Sequence, residues 1–180
     1  MPEGGLSLEE FVKRANLTEV GCYELFGVRG GVEDDGERPV VGPGPLEIGE
    51  FETEHNLTVY WGHDEPRMLV RLSATITCEA GEVRVGVQAE YELDGFSQDD
   101  VAADVEEEYV NNVSVMTLIP YLREAVAAAS LRTLDQPITL GVVQRGELSF
   151  SSPRRELPAQ LGGAQDEGAT VERGEGRGEV

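Results

Sequence analysis

The side chains with the widest chemical range in this sequence are two histidines, His55 and His63, and two cysteines, Cys22 and Cys78. Imidazole moves protons near neutral pH and thiolate attacks electrophiles, and both ligate zinc, but each role needs a converging set of groups. The histidines stand eight residues apart, across a strand-like run and the loop after it, with no Cys, Asp or Glu set around them at zinc-site spacing. Cys22 and Cys78 lie in runs of alternating apolar residues and read as buried free thiols of a reducing compartment, with a disulfide as the alternative. There is no Gly-x-Ser-x-Gly and no glycine loop ahead of Lys-Ser/Thr, and the glycines at 30, 31, 42 and 44 belong to an acidic loop that repels phosphate. The residues therefore predict no catalytic, cofactor-binding or metal site and a chain that is not an enzyme. An enzyme would require His55, His63 and a carboxylate to meet in one pocket.

What remains is charge. Lys+Arg 14 against Asp+Glu 35 gives a formal charge of -21, which disfavours nucleic acid and anionic membranes as partners and suits basic or unfolded polypeptide. Residues 151 to 180 hold six acids and four bases, so the acid belongs to the folded part. Arg123 and Glu124 are adjacent, point to different sides of a helix and need partners elsewhere. A buried ion pair across a subunit interface and an ordinary solvated charge both stay open. The opening residues carry no basic and apolar leader, and no later stretch has the length of a membrane span, so a cytoplasmic chain without membrane insertion is expected.

The elements that must position these groups follow from periodicity. Ser7 and Glu10 have capping-box spacing ahead of Leu8, Phe11, Val12 and Ala15, which predicts a short amphipathic helix over 7–15 on the body or on a neighbouring subunit. Residues 18–29 are apolar on both sides and read as a strand covered on both faces. The Gly-, Pro- and acid-rich residues 30–45 make a long crossover, so the first strand does not turn back onto the second, as in a Greek key. Strands over 51–61, 68–78 and 83–93 alternate cleanly, each with one wet face, and form an antiparallel meander.

A helix follows, capped by Ser97 with Asp100 and carrying the stripe Val101, Val105 and Tyr109; Glu106, Glu107 and Glu108 read as a solvated face, with a partner-binding patch as the alternative. Pro120 then predicts either a kink in the helix or, as the favoured reading, a new helix start with Thr117 as cap, and Leu118, Leu122, Ala125, Val126 and Ala129 form its apolar side. After Pro137 the chain is extended, 141–150 reads as weak strand or loop, and 151–180 reads as disordered. The domain reading is an N-terminal helix and arm over 1–17, one α+β domain over 18–150 and the tail.

Leu118, Pro120, Tyr121, Arg123 and Glu124, followed by Pro137 and Leu140, resemble the helix opening and exit of the bacterial export chaperone SecB and its relatives. The resemblance implies a four-stranded antiparallel, Greek-key-like sheet with a long C-terminal helix from Pro120 to Leu134 packed on it. It implies a homotetramer, a dimer of dimers with the long helices between the sheets, in which those motif residues are structural or interfacial. The implied activity is that of a holdase without ATP or cofactor, binding unfolded or precursor polypeptides for the translocation motor SecA. Leu57, Val59 and Trp61 are the candidates for a client groove, with core packing as the alternative for each. The helix at 7–15, the 30–45 loop, the acidic 99–108 segment and Gln144 to Gly146 depart from the export-dedicated form. They are similar instead to divergent SecB-like proteins, some of which serve an antitoxin client, so a chaperone or binding module dedicated to one partner is the second expectation.

Overall fold

A computed structural model describes residues 5–30, 48–63, 65–142, 148, 150 and 154–156, the last three by their backbone. Helix α1 spans Leu8–Arg14. The Ser7 hydroxyl accepts from the Glu10 amide while Glu10 accepts from the Ser7 amide at 3.1 Å, which meets two of the donors a helix start leaves open. Phe11 is fully buried and anchors it to the body, with Leu8 packed partly on the core, whereas Val12 is exposed. Arg14 closes the junction, its guanidinium donating twice to the Asp94 carbonyl at 2.8 and 2.6 Å.

Strands β1 (Ala15–Arg29), β2 (Phe51–Trp61), β3 (Arg67–Cys78) and β4 (Gly81–Leu93) form an antiparallel sheet in the order β1-β4-β3-β2. The first strand lies beside the fourth, as the long crossover required, and residues 31–47 of that crossover fall outside the described residues. The alternation reads through to burial: Val70, Leu72, Ala74 and Ile76 of β3 and Val83, Val85, Val87, Ala89, Tyr91 and Leu93 of β4 are all in the core. Strand β1 differs from expectation. It is an edge strand, and Leu17, Tyr23, Leu25 and Phe26 are 38 to 53% exposed, so neither face is fully covered in the single chain. Its alternation is broken by register shifts between Leu17 and Glu19 and between Cys22 and Glu24, which is why the pattern looked apolar on both sides.

One long helical rod covers the inner face. Helix α2 (Ala103–Tyr109) passes into a π-helical turn over Val110–Ser114 and then into α3 (Val115–Leu134), with right-handed helical angles at both junctions. The expected restart at Pro120 does not occur; Pro120 is inside α3, and the Thr117 hydroxyl donates to the Val113 carbonyl at 2.9 Å instead of capping. Magnitudes explain this. An interior proline costs a helix about 3 kcal/mol, whereas each fully buried Val or Leu contributes about 1.5 to 3 kcal/mol, and Val115, Leu118, Ile119, Leu122 and Val126 are all buried along this face.

Ser97 and Asp100 do form their capping pair, but on a 3-10 turn over Gln98–Asp100, with α2 starting only at Ala103. At the far end Asp135 takes a left-handed angle, φ 60, and the chain turns back along α3. There the Ser130 hydroxyl accepts from the Ile138 amide at 2.7 Å and Arg123 Nε donates to the Leu140 carbonyl at 3.1 Å. Of the tail read as disordered, Arg154–Glu156 form β5, a parallel fifth strand on the edge of β2, and residues 151–153 and 157–180 fall outside the described residues.

Candidate functional site

Under the rod an aromatic cluster joins four elements. The Phe11 ring stacks on Tyr109 at 4.1 Å and 10°, meets Phe96 edge-on at 5.2 Å, and lies 6.1 Å from Trp61; Tyr91 meets Tyr109 edge-on at 5.7 Å. Trp61 is buried, and its indole Nε1 donates to Glu106 Oε1 at 2.9 Å. The solvated reading of Glu106 is therefore overturned: it is 2% exposed and faces inward from α2, where a buried indole N–H needs an acceptor. Desolvation pushes the Tyr91 and Tyr109 phenols up from their ordinary values.

Beside this cluster the π turn carries Asn111. Its Nδ2 donates to the Phe150 carbonyl at 3.0 Å and its Oδ1 accepts from the Phe150 amide at 2.9 Å, so one side chain meets both backbone polar groups of Phe150. A further Nδ2 bond to the Glu107 carbonyl at 3.0 Å fixes the orientation of the amide. Leu148 and Phe150 pack partly on the core. Just beyond, β5 runs along β2 with Val59 opposite Arg154, Tyr60 opposite Arg155 and Trp61 opposite Glu156.

The outer face of the sheet is polar and its cations are engaged. The Arg71 guanidinium lies 4.5 Å from the Tyr23 ring and 5.4 Å from the Tyr60 ring and donates to Gln88 Oε1 at 3.1 Å. Tyr23 lies across Gly86, where any Cβ would collide with its ring. Arg84 is held by Glu82 at 2.9 Å and Glu24 at 3.7 Å, and Arg67 by Glu65 and Glu90. An open polar depression here is lined in part by Glu24, Glu54, His55 and Arg84.

His55 sits within β2, with its imidazole pKa lowered by burial, and His63 lies beyond the strand end. Seven residues lie between them, and the run from His55 to Trp61 is extended strand, about 20 Å long. Among the described residues no group of three or more His, Cys, Asp or Glu is placed to hold a metal. Cys22 and Cys78 are both free; Cys22 is exposed, not buried, because it lies on the uncovered edge strand.

Leu57, Val59 and Trp61 are all core residues, 4, 0 and 2% exposed. Leu118 and Leu140 are also buried, while Pro120, Tyr121, Glu124 and Pro137 are exposed. Arg123 is only partly exposed and has its Leu140 carbonyl. Sequence reasoning did not single out Phe11, Asn111 or the β1 side chains for this region. The one available signal for Asn111 was a polar Asn111-Asn112 pair, poor in helix propensity, between two apolar helical stripes.

The chain matches no protein-family model and no curated protein. Among solved structures it is similar to the SecB-like chaperone Rv1957 of Mycobacterium tuberculosis, determined in complex with a ChAD peptide from the Rv1956 HigA1 antitoxin. That likeness has a TM-score of 0.55 at 18% identity over 74% of this chain and 94% of that one. A protein of unknown function from Streptococcus agalactiae is similar at 11% identity and a TM-score of 0.41, over 71% of this chain and 97% of that one. The architecture, an antiparallel four-strand sheet covered by a long C-terminal helix, is therefore α+β and SecB-like.

Proposed function

We propose that this chain is a polypeptide-binding protein that acts as a chaperone without ATP or catalysis, dedicated to one partner such as an antitoxin. The observation that carries the reading is the edge strand β1, which leaves Leu17, Tyr23, Leu25 and Phe26 substantially exposed on a SecB-like fold. Isolated exposed apolar side chains are ordinary, but several on an edge that pairs with no further strand among the described residues suit an extended apolar chain or a second copy. A charge of -21 adds long-range attraction for basic segments. The SecB-like neighbour was solved with an antitoxin-derived peptide, which favours a dedicated client over general export to SecA. Assembly as a homotetramer, with exposed Tyr121 and Leu131 of α3 facing other subunits, belongs to the same proposal.

The test is aggregation of an unrelated denatured polypeptide, followed by light scattering without nucleotide, beside the same assay with proteins expressed from neighbouring genes. The dedicated reading expects protection of one partner at near-stoichiometric ratio and little effect on the unrelated chain, with protection weakened by Leu25→Glu. Equal protection of both substrates returns the reading to a general holdase. Protection of neither at several-fold excess overturns it.

A further inference from the structure

We propose that the β2 edge and Asn111 together form a binding site for an extended peptide, and that the chain's own Phe150 and Arg154–Glu156 occupy it as a displaceable stand-in. This rests on the polypeptide-binding reading and names the kind of segment bound: extended, apolar at the Phe150 place, basic four and five residues further on, and parallel to β2.

Three observations carry it. First, Asn111 treats Phe150 as a neighbouring strand would, donating to its carbonyl and accepting from its amide at 3.0 and 2.9 Å. Those bonds engage groups that every residue but proline possesses, so they select extended backbone, not a particular side chain. The third bond of Asn111, to the Glu107 carbonyl, orients the amide from the rod itself, and the π turn is what sets Asn111 at this point of the rod. Second, Arg154–Glu156, a few residues further along the chain, pair with β2 as a strand of only three residues, parallel where every other pair in the described sheet is antiparallel. Short parallel pairing of this kind is strand addition to an exposed edge, with main-chain bonds as its source of affinity and little to make it permanent. Third, the register places Trp61 opposite Glu156 and Val59 opposite Arg154, beside the cluster of Phe11, Phe96 and Tyr109.

The sequence of the segment fits the role of stand-in. Leu148 and Phe150 supply apolar contacts with the core, and Arg154-Arg155 is a basic pair in a chain of net charge -21. Only fifteen residues lie between Leu134, at the end of α3, and Phe150, so the segment is tethered close to its site. A short tether of this type sets an effective concentration of about millimolar, which a client must exceed through longer or multiple contacts. The device thus rejects weak, short peptides and admits a segment that also engages β1 or another subunit.

The experiment uses the full chain with Phe150→Ser and Arg155→Pro, which withdraw the apolar contact and one strand N–H, and a fluorescein-labelled peptide with the sequence of residues 146–158 as probe. Anisotropy should show the peptide binding at least about 10-fold more tightly to the opened chain than to the unaltered one, as release from an intramolecular competitor requires. Adding Asn111→Ala should remove that gain, and Asn111→Asp, which keeps the acceptor and loses the donor, should remove part of it. Far-UV circular dichroism and the emission of Trp61, the single tryptophan, confirm folding of each variant. No gain on opening, or a gain that survives Asn111→Ala, overturns the site. If client protection persists in either case, the polypeptide-binding reading stands without this site. Tight peptide binding with no protection of any client instead overturns that reading and leaves the site.

Discussion

Replacing Glu106 tests the reasoning about the core most directly. The Trp61 indole donates to its carboxylate at 2.9 Å in a place where both residues are 2% exposed. Glu106→Leu keeps much of the volume and removes the acceptor, stranding a buried N–H, which costs about 1 to 3 kcal/mol. Glu106→Gln keeps an acceptor oxygen and loses only the charge, and charged hydrogen bonds are roughly twice as strong as neutral ones, so about 1 kcal/mol or less is expected. Relief from burying a carboxylate acts in the opposite direction and is shared by both substitutions. The difference between them therefore isolates the stranded donor. With a urea m-value of roughly 2 kcal/mol per molar, Glu106→Leu should lower the unfolding midpoint by roughly 1 M, read from Trp61 emission. The double variant Glu106→Leu with Trp61→Phe, followed by circular dichroism, should recover most of that loss, because neither donor nor acceptor is left alone. A Leu variant that unfolds with the parent, or a double variant no better than the single one, would refute the account.

Pro120→Ala restores an amide inside α3 and should raise stability by about 1 to 3 kcal/mol, read as a higher Tm; a fall would mean that the ring makes contacts outweighing the missing hydrogen bond. His55 gives a pH signature. Burial lowers its folded pKa below the usual 6.5, so the unfolded chain takes up a proton first as pH falls. Its contribution is present above pH 6.5 and is lost between that value and the lower folded one. Urea midpoints from pH 8 to 5 should therefore decline more steeply for the parent than for His55→Gln; parallel profiles would remove His55 from the account.

Much of the architecture was legible because it depends on local pattern. Period-two alternation identified the core faces of β3 and β4, the capping box started α1, and the long acidic crossover placed β1 away from β2. The buried side of Leu118, Leu122 and Val126 likewise followed from a helical period. Alternation could not separate client groove from core at Leu57, Val59 and Trp61, since both need apolar side chains on one face. Local rules also misjudged Pro120, where burial of a whole helix face outweighs one broken backbone bond, and Glu106, whose acidic neighbours suggested solvent.

The sequence by itself determined which residues seek burial, where helices and turns begin, and how much charge the folded body must carry. Only the tertiary structure decided who meets whom: Trp61 with Glu106, Asn111 with Phe150, and residues 154–156 with the edge of β2. The physical reason is range. Periodicity and capping act over three or four residues, whereas the first two of these contacts span 45 and 39 positions and exist only once the sheet, the rod and the returning chain fix one another in space.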